Sequence, residues 1–551
     1  MNIAEILFKN ANILTLDNEN TKAGSIAVSE GRITGIWKTP EPPEGAVRIT
    51  EDTTIADLKG QTLIPGFIDT HNHILMYGLL SKQVNCSTPL NKTIVDIAHA
   101  IEQKVKDSEA GEWIQGYGYD DTLLDEKRHP TRHDLDHVAP DHPVIISHIS
   151  GHLAVANSIA LELAGLTNET TDPSGGYYGR DEDGNLNGVL YEATAMEPTH
   201  NLLPKRAKEE MIEVLGEAAK TYMAQGITTN TDAAVFQLED LEVHLQAAKQ
   251  GVNPMRTQLM IMHFLLREGG PFEGYSPSQL DERLQQHSNG LARLDSAKMF
   301  QDGSIQGLTG ALREPYHQNP DTYGSLIHDQ DDFNEEVLDL HHRGFRITTH
   351  GNGDRAIGSI LDAYELALQK YPRDQHKHRI EHVQSATPQD IEKMAKLDVA
   401  GSFFINHVYY WGDRHEQIFL GPKRARRISP LADAVKHNLL FTLHSDCPVT
   451  PISPLFSIWA AVNRKTSSGK ILGAEQRIDV ITALKSMTSY AAELISDEDN
   501  IGSLEVGKLA DFAVLDRDPT EIDSEEIKDI AVTATYIGGR LVYSTGEVVI
   551  S

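Results

Sequence analysis

Cysteine is nearly absent. Only Cys86 and Cys447 occur in 551 residues. That scarcity excludes a fold framed by disulfides. It leaves one pairing open and reads as a reduced, cytoplasmic protein. No apolar run approaches the roughly 20 residues of a membrane span. The opening MNIAEILFKN has no basic segment followed by a long apolar stretch, so no secretory signal is expected. Basic residues are outnumbered 49 to 80, a formal net charge of −31. Nucleic acid and anionic membranes both need a basic face, so neither is an expected partner. Solubility, as in a saline or alkaline setting, is the simplest reason for the excess. Internal repeats and low-complexity tracts are also missing. What remains is 40% hydrophobic and 23% charged, an ordinary globular composition. The chain is too long for one core of common size.

The two ends share a texture. ILFKNANILTL, SIAVSEGRITGIW and TIADLKGQTLIPG read as short strands, with Glu30-Gly31 and Lys59-Gly60 as turns. GSLEVGKLADFAVLD and IAVTATYIGGRLVYSTGEVVI read alike, so residues 1–60 and 499–551 are expected to build one small β-sandwich. Between them, short apolar runs alternate with helical patterns, the mark of parallel βα units. Candidate strands are 62–69, 144–149, 227–232, 256–262, 296–302, 345–350, 378–383, 398–404 and 439–446. Two of the helices between them end in Gly226 and Gly344, usual C-terminal stops. Nine candidates exceed the eight that a closed barrel needs. VIISHI (144–149) is therefore assigned to an insertion of about 112–200, dense in Gly, Asp and Tyr. The expected fold is α/β: a (β/α)8 TIM-type barrel over 61–498, with the insertion after its first strand.

The sharpest local feature is Gly66-Phe67-Ile68-Asp69-Thr70-His71-Asn72-His73. On a strand, His71 and His73 share a face, and two imidazoles so placed can bind a divalent metal. Spacing alone is weak, because 25 histidines make chance pairs, and His376 and His378 are a second one. The polar stretch around that second pair reads as a solvated loop. His71 and His73 differ in following an apolar strand introduced by Pro-Gly; the plain alternative is a capped turn. Further strands end in His350, His382 and Asp446, on the face where barrel active sites lie. Lys298 lies inside a buried strand, which is costly unless it is paired or modified. Its plain reading is a salt bridge to Asp302, on the same face.

Together these residues resemble the amidohydrolase superfamily, in the branch of YtcJ-like proteins and N-substituted formamide deformylase. The matching stretches are LIPGFIDTHNH, AKMFQDGS, THGNGDRAI, RIEHVQ, HSDCPV and IGSLEVGKLADFAVLD, with SGHLAVANSIAL and GGYYGRDEDGNLNGVLYE marking that branch's insertion. The resemblance implies one or two divalent metals per chain, held by His71, His73 and Asp446, then by His350 and His382, with a carboxylated Lys298 between them. Zn2+ suits such ligands, as do Mn2+, Fe2+, Co2+ and Ni2+. Relatives commonly carry a small residue where this chain has His444, which on a strand would share a face with Asp446. It could enter the site or orient a ligand through its other ring nitrogen.

The implied chemistry is hydrolysis of a non-peptide C–N bond, as in an N-acyl or N-formyl amine. A bound metal lowers the pKa of water toward about 7 and polarises the carbonyl. Asp446 would act as general base and then general acid, with Lys298 alongside it. Trp113, Tyr119 and His152 in the insertion, with Asp302 and His444, are candidate substrate contacts; the aromatics could equally pack the insertion. Alternatives on the same barrel are a deaminase, a cyclic imide or lactone hydrolase, and a D-aminoacylase-like enzyme, where Cys86 could replace the lysine. A catalytically inactive binding protein and a Cys447–His444 nucleophile stand behind these. The expected partner is a small-molecule substrate, and the resemblance implies a homo-oligomer such as a dimer.

Overall fold

The computed structural model describes residues 3–151, 153–173 and 175–546, and the backbone of 549–550. The chain divides into two compact units, Met1–Leu75 with Leu215–Ser551, and Met76–Val214. Among the described residues no helix is long and apolar enough to cross a membrane.

In the first unit, strands from both chain ends interleave in two sheets. One runs 549–550, Thr54–Asp57, Ile6–Lys9, Ser25–Ser29 and Arg32–Trp37. The other runs Arg540–Ser544, Val532–Ile537, Phe512–Leu515, Thr62–Pro65, Asn12–Leu14 and Lys22–Ala23. The pair Glu30-Gly31, at φ 51° and 71°, closes a two-residue hairpin between Ser29 and Arg32, the backbone that such turns require. Side chains from both sheets share one core, where the Phe8 ring meets Phe512 and Tyr536 edge-on at 5.3 and 4.9 Å.

The same unit holds the barrel. Its eight parallel strands, in order, are Phe67–Asn72, Ile227–Val235, Arg256–Met262, Ala292–Phe300, Ile347–Gly351, Arg379–His382, Ala400–Phe403 and Phe441–Leu443. The first and eighth strands form no ladder; Thr70 Oγ1 meets Thr442 Oγ1 at 2.8 Å, and the backbone amides of Asp446 and His73 donate to His71 and Cys447. The helices Lys208–Met223 and Gln330–His342 precede strands two and five, and Gly226 and Gly344 after them take φ of 79° and 91°.

Two readings need correction, one of a strand and one of a loop. The run 62–69 is two strands: Thr62–Pro65 belongs to an end sheet, and Phe67–Asn72 to the barrel. Gly66 makes the break, because a Cβ there would lie 2.2 Å from Thr228 Cγ2. His376 and His378 are buried, not solvated. His378 accepts the Ile347 amide at Nδ1 and donates from Nε2 to His341, which donates in turn to the Tyr371 carbonyl.

The second unit, Met76–Val214, is wider at both ends than the Gly- and Tyr-rich stretch suggests. Its six-stranded sheet runs Tyr177–Arg180, Leu186–Tyr191, Leu153–Ala156, Val144–His148, Ile114–Tyr119 and Val84–Asn85. VIISHI thus lies in this sheet and not in the barrel.

Candidate metal centre

The barrel strands deliver their histidines to one place. His71 Nε2 and His73 Nε2 lie 3.4 and 3.2 Å from Asp446 Oδ1, and His382 Nδ1 lies 3.9 Å from Asp446 Oδ2. Donor atoms of His71, His382 and Asp446 all fall within 4.8 Å of one another. The His350 ring meets the His382 ring edge-on at 4.5 Å between centroids. All six predicted ligand positions occupy the C-terminal ends of barrel strands or the turns beyond them.

The electrostatics suit a cation. Burial alone would raise the Asp446 carboxyl, but the imidazoles of His71, His73 and His382 hold it well below the usual carboxylate range. Its Oδ1 is buried and has no aligned hydrogen-bond donor, although two imidazole nitrogens lie close by. Burial lowers the Lys298 ammonium to about 8 against the pull of Glu381 and Asp446. Its Nζ is buried without a hydrogen-bond partner, 4.9 Å from the Phe300 ring centroid. A carboxylate oxygen and an amine without an aligned hydrogen bond among the described residues, beside three imidazoles, fit a divalent metal and a modified lysine.

Lys298 does not pair with Asp302, which corrects the plain reading. Asp302 is fully buried and accepts from the amides of Ala311, Asn352 and Gly353, while its Oδ1 lies 3.2 Å from His350 Nδ1. With both oxygens so engaged, Asp302 is placed to orient His350. The other nitrogen of His350 faces the Asn352 side-chain amide at 3.2 Å.

His444 lies in the site. Its Nε2 meets His382 Nδ1 at 3.1 Å, its Nδ1 meets Ser402 Oγ at 2.8 Å, and its ring stacks on His71 at 4.6 Å. Burial and the neighbouring His71 hold it well below the ordinary histidine value. One of the two facing nitrogens carries the proton, so His382 and His444 set each other's tautomers.

Three supports escaped the sequence reading. Glu381 Oε2 lies 2.5 Å from His71 Nδ1, which leaves His71 Nε2 as the atom that could hold a metal. Burial would raise Glu381, but Arg379 and His71 hold it ionised. Arg379 in turn pairs with Asp295 at 2.9 Å, inside the barrel. The spacing of Arg379 and Glu381 on a buried strand was the available signal, since both face inward and must be paired. Asp69 is the third: it accepts from Ser445 Oγ at 2.8 Å and from the His71 amide, tying the first strand to the turn that carries Asp446.

The remaining predicted residues lie in the second unit. Trp113 is half-buried against that unit's apolar cluster, which includes Ala156, Tyr178 and Leu190. Tyr119 is buried in the other cluster with Cys86. His152 lies outside the described residues. Both cysteines are free thiols, pushed up to about 12 by burial. Cys86 Sγ donates to the Val84 carbonyl, and the two ring nitrogens of His444 face His382 and Ser402.

Comparison with known proteins bears on family and fold. The model of the family described as "Amidohydrolase family" matches residues 54–543. The chain is 29% identical over 546 residues to the N-substituted formamide deformylase of Arthrobacter pascens, covering 98% of each. It is 28% identical to the putative amidohydrolase YtcJ of Bacillus subtilis, covering 96% of this chain and 98% of that one. Among solved structures, an uncharacterized metal-dependent hydrolase from Pyrococcus horikoshii OT3 superposes with a TM-score of 0.73 at 24% identity, covering 94% of this chain and 99% of that one. That likeness bears on the fold.

Proposed function

The chain belongs to the amidohydrolase family, and from that premise we propose that it hydrolyses the C–N bond of an N-acyl or N-formyl amine. The observation that carries this reading is Asp446: ionised, buried, and holding one oxygen free among the imidazoles of His71, His73 and His382. A divalent cation held by these residues, with His350 and Lys298 completing the family's set, would acidify a water and polarise the acyl carbonyl.

The rest of the work falls to the protein's own groups. Asp446 accepts a proton from the attacking water, whose oxygen bonds to the acyl carbon. As the C–N bond breaks, Asp446 passes that proton to the leaving nitrogen. The products are a carboxylic acid and an amine. Glu381 and Asp302 hold the His71 and His350 rings in place, so the geometry is set before substrate arrives. The name of the Arthrobacter relative places N-substituted formamides first among substrates to try.

The test is a panel of N-formyl, N-acetyl and longer N-acyl amines, with amine and acid measured together. Equal release of both supports the reading. Ammonia released from amino-heterocycles, with no acid, would replace it by a deaminase. No turnover of any panel member by metal-replete protein would favour the inactive binding protein.

A further inference from the structure

The segment after the seventh barrel strand holds two buried histidines that the metal centre does not use. His407 follows the end of that strand, Phe403, by four residues, on the face where barrel active sites lie. Trp411 and His415 come four and eight residues later, on one side of a broken helical run. The His407 ring stacks on Trp411 at 4.5 Å between centroids, and its Nδ1 lies 3.0 Å from His415 Nε2. Beyond His415 the Leu420 amide donates to the His415 carbonyl five residues back, a wide π-type turn of the kind frequent at functional sites. The backbone here is also tied to the turn that carries Asp446. Asn406 Nδ2 donates to Thr450 Oγ1 at 2.9 Å, and Thr450 Oγ1 donates to the carbonyl of Ser445. On another flank, Phe404 meets His407 edge-on at 4.6 Å and stacks on His444 at 5.3 Å. One ring separates His407 from the centre, and Asp446 is near enough to act on its charge.

The bond between the two rings fixes a tautomer. Burial, with His415 beside it, holds His407 well below the ordinary histidine value, and burial lowers His415 to about 3. Both rings are therefore neutral at pH 7, with one N–H each. His415 Nδ1 is buried without a hydrogen-bond partner. If His407 Nδ1 were the donor, the single proton of His415 would sit on that sealed Nδ1. An orphaned buried N–H is rarer and costlier than a bare acceptor. His415 Nε2 is thus the donor, His407 Nδ1 accepts, and the proton of His407 is on Nε2. Among the described residues that Nε2–H has no hydrogen-bond acceptor, and it is not sealed off as His415 Nδ1 is. With Trp411 on one ring face, Phe404 at an edge and His415 on Nδ1, it is a fixed donor left for a ligand.

We propose that His407 is a substrate-binding residue, its Nε2–H donating to the acyl oxygen of the substrate as negative charge gathers there. This rests on the hydrolase reading above. As the water oxygen bonds to the acyl carbon, the carbonyl electron pair moves onto its oxygen, and a donor already in place stabilises that charge. No proton leaves His407. His415 is a positioning residue, because it decides which nitrogen of His407 carries the proton.

The test combines steady-state kinetics on the best N-acyl or N-formyl amine, metal analysis, and imidazole nitrogen NMR of the full-length protein. His407→Leu is expected to lower kcat about 100- to 1000-fold, with KM changed far less and metal content unchanged. His407→Gln, which keeps an N–H donor, should recover part of that loss. His415→Phe should lower kcat by less and move the His407 proton toward Nδ1. In wild type the His407 resonances, identified by their absence from His407→Gln, should show a protonated Nε2 and a bare Nδ1. That readout needs neither turnover nor a folded Leu variant. A protonated Nδ1 at His407 in wild type, or wild-type kcat in His407→Leu, would overturn the proposal and leave the hydrolase reading standing. A loss of activity in His407→Leu that only tracks lost metal would overturn it too. No turnover of any amide by wild type would sink the hydrolase reading itself, and the acyl oxygen as ligand with it.

Discussion

Asp446 and Glu381 show how differently two buried carboxylates can serve one site. Asp446 keeps an oxygen free among imidazoles, whereas Glu381 spends both of its oxygens on His71 and Arg379. Asp446→Asn keeps the shape but loses the base, so turnover should fall by about a thousandfold or more while the histidines retain much of the metal. Steady-state kinetics with metal analysis of the same samples checks both halves. Glu381→Gln should act differently, by loosening the His71 ring. Metal affinity is expected to drop about 10- to 100-fold, with activity restored by excess metal; a titration with competing chelator measures it. At this scale the histidines that gather around Asp446, and Asp446 itself, were legible, because each closes an apolar run. Glu381 was not, because its role depends on a histidine 310 residues away.

At the scale of elements, His378 shows what local sequence conceals. A polar stretch suggested solvent, yet the ring ties the start of the fifth strand to the helix Gln330–His342 through a directed chain of bonds. Those partners come from other elements, so no window around residue 378 reveals them. Burial holds His378 well below its ordinary value, with His376, Arg373 and His341 adding to the effect. Its stabilising neutral form is therefore fully present above the unfolded value near 6.5. As pH falls below that, the unfolded chain takes up a proton that the folded ring refuses, and stability declines. Chemical denaturation between pH 7 and pH 5 should show a shallower loss for His378→Asn, by up to about one proton, or ~1.4 kcal/mol per pH unit. The variant should also be less stable at pH 7, by about 1–3 kcal/mol, for the broken hydrogen bonds.

For the whole molecule, alternation of strand and helix gave the barrel, and dropping one strand from nine gave its count. Gly66 hid a boundary, since one continuous apolar run serves two sheets. The insertion's edges were hidden for another reason: its helices and first strand are composed like the barrel's own, so composition marks only its Gly- and Tyr-rich middle. The ends of the chain were legible as β-rich. Their interleaving needed the structure, because strands about 450 to 490 residues apart pair only through the tertiary fold.

The central claim is that this barrel is a metal-dependent hydrolase, and the most direct measurement is metal content with activity, for wild type and Lys298→Ala purified without added metal. Hydrolysis should vanish on chelation and return with a divalent ion, and the variant should lose metal from the barrel and with it most turnover. Full hydrolysis by protein free of metal, or a protein that takes up none when offered it, would contradict the account.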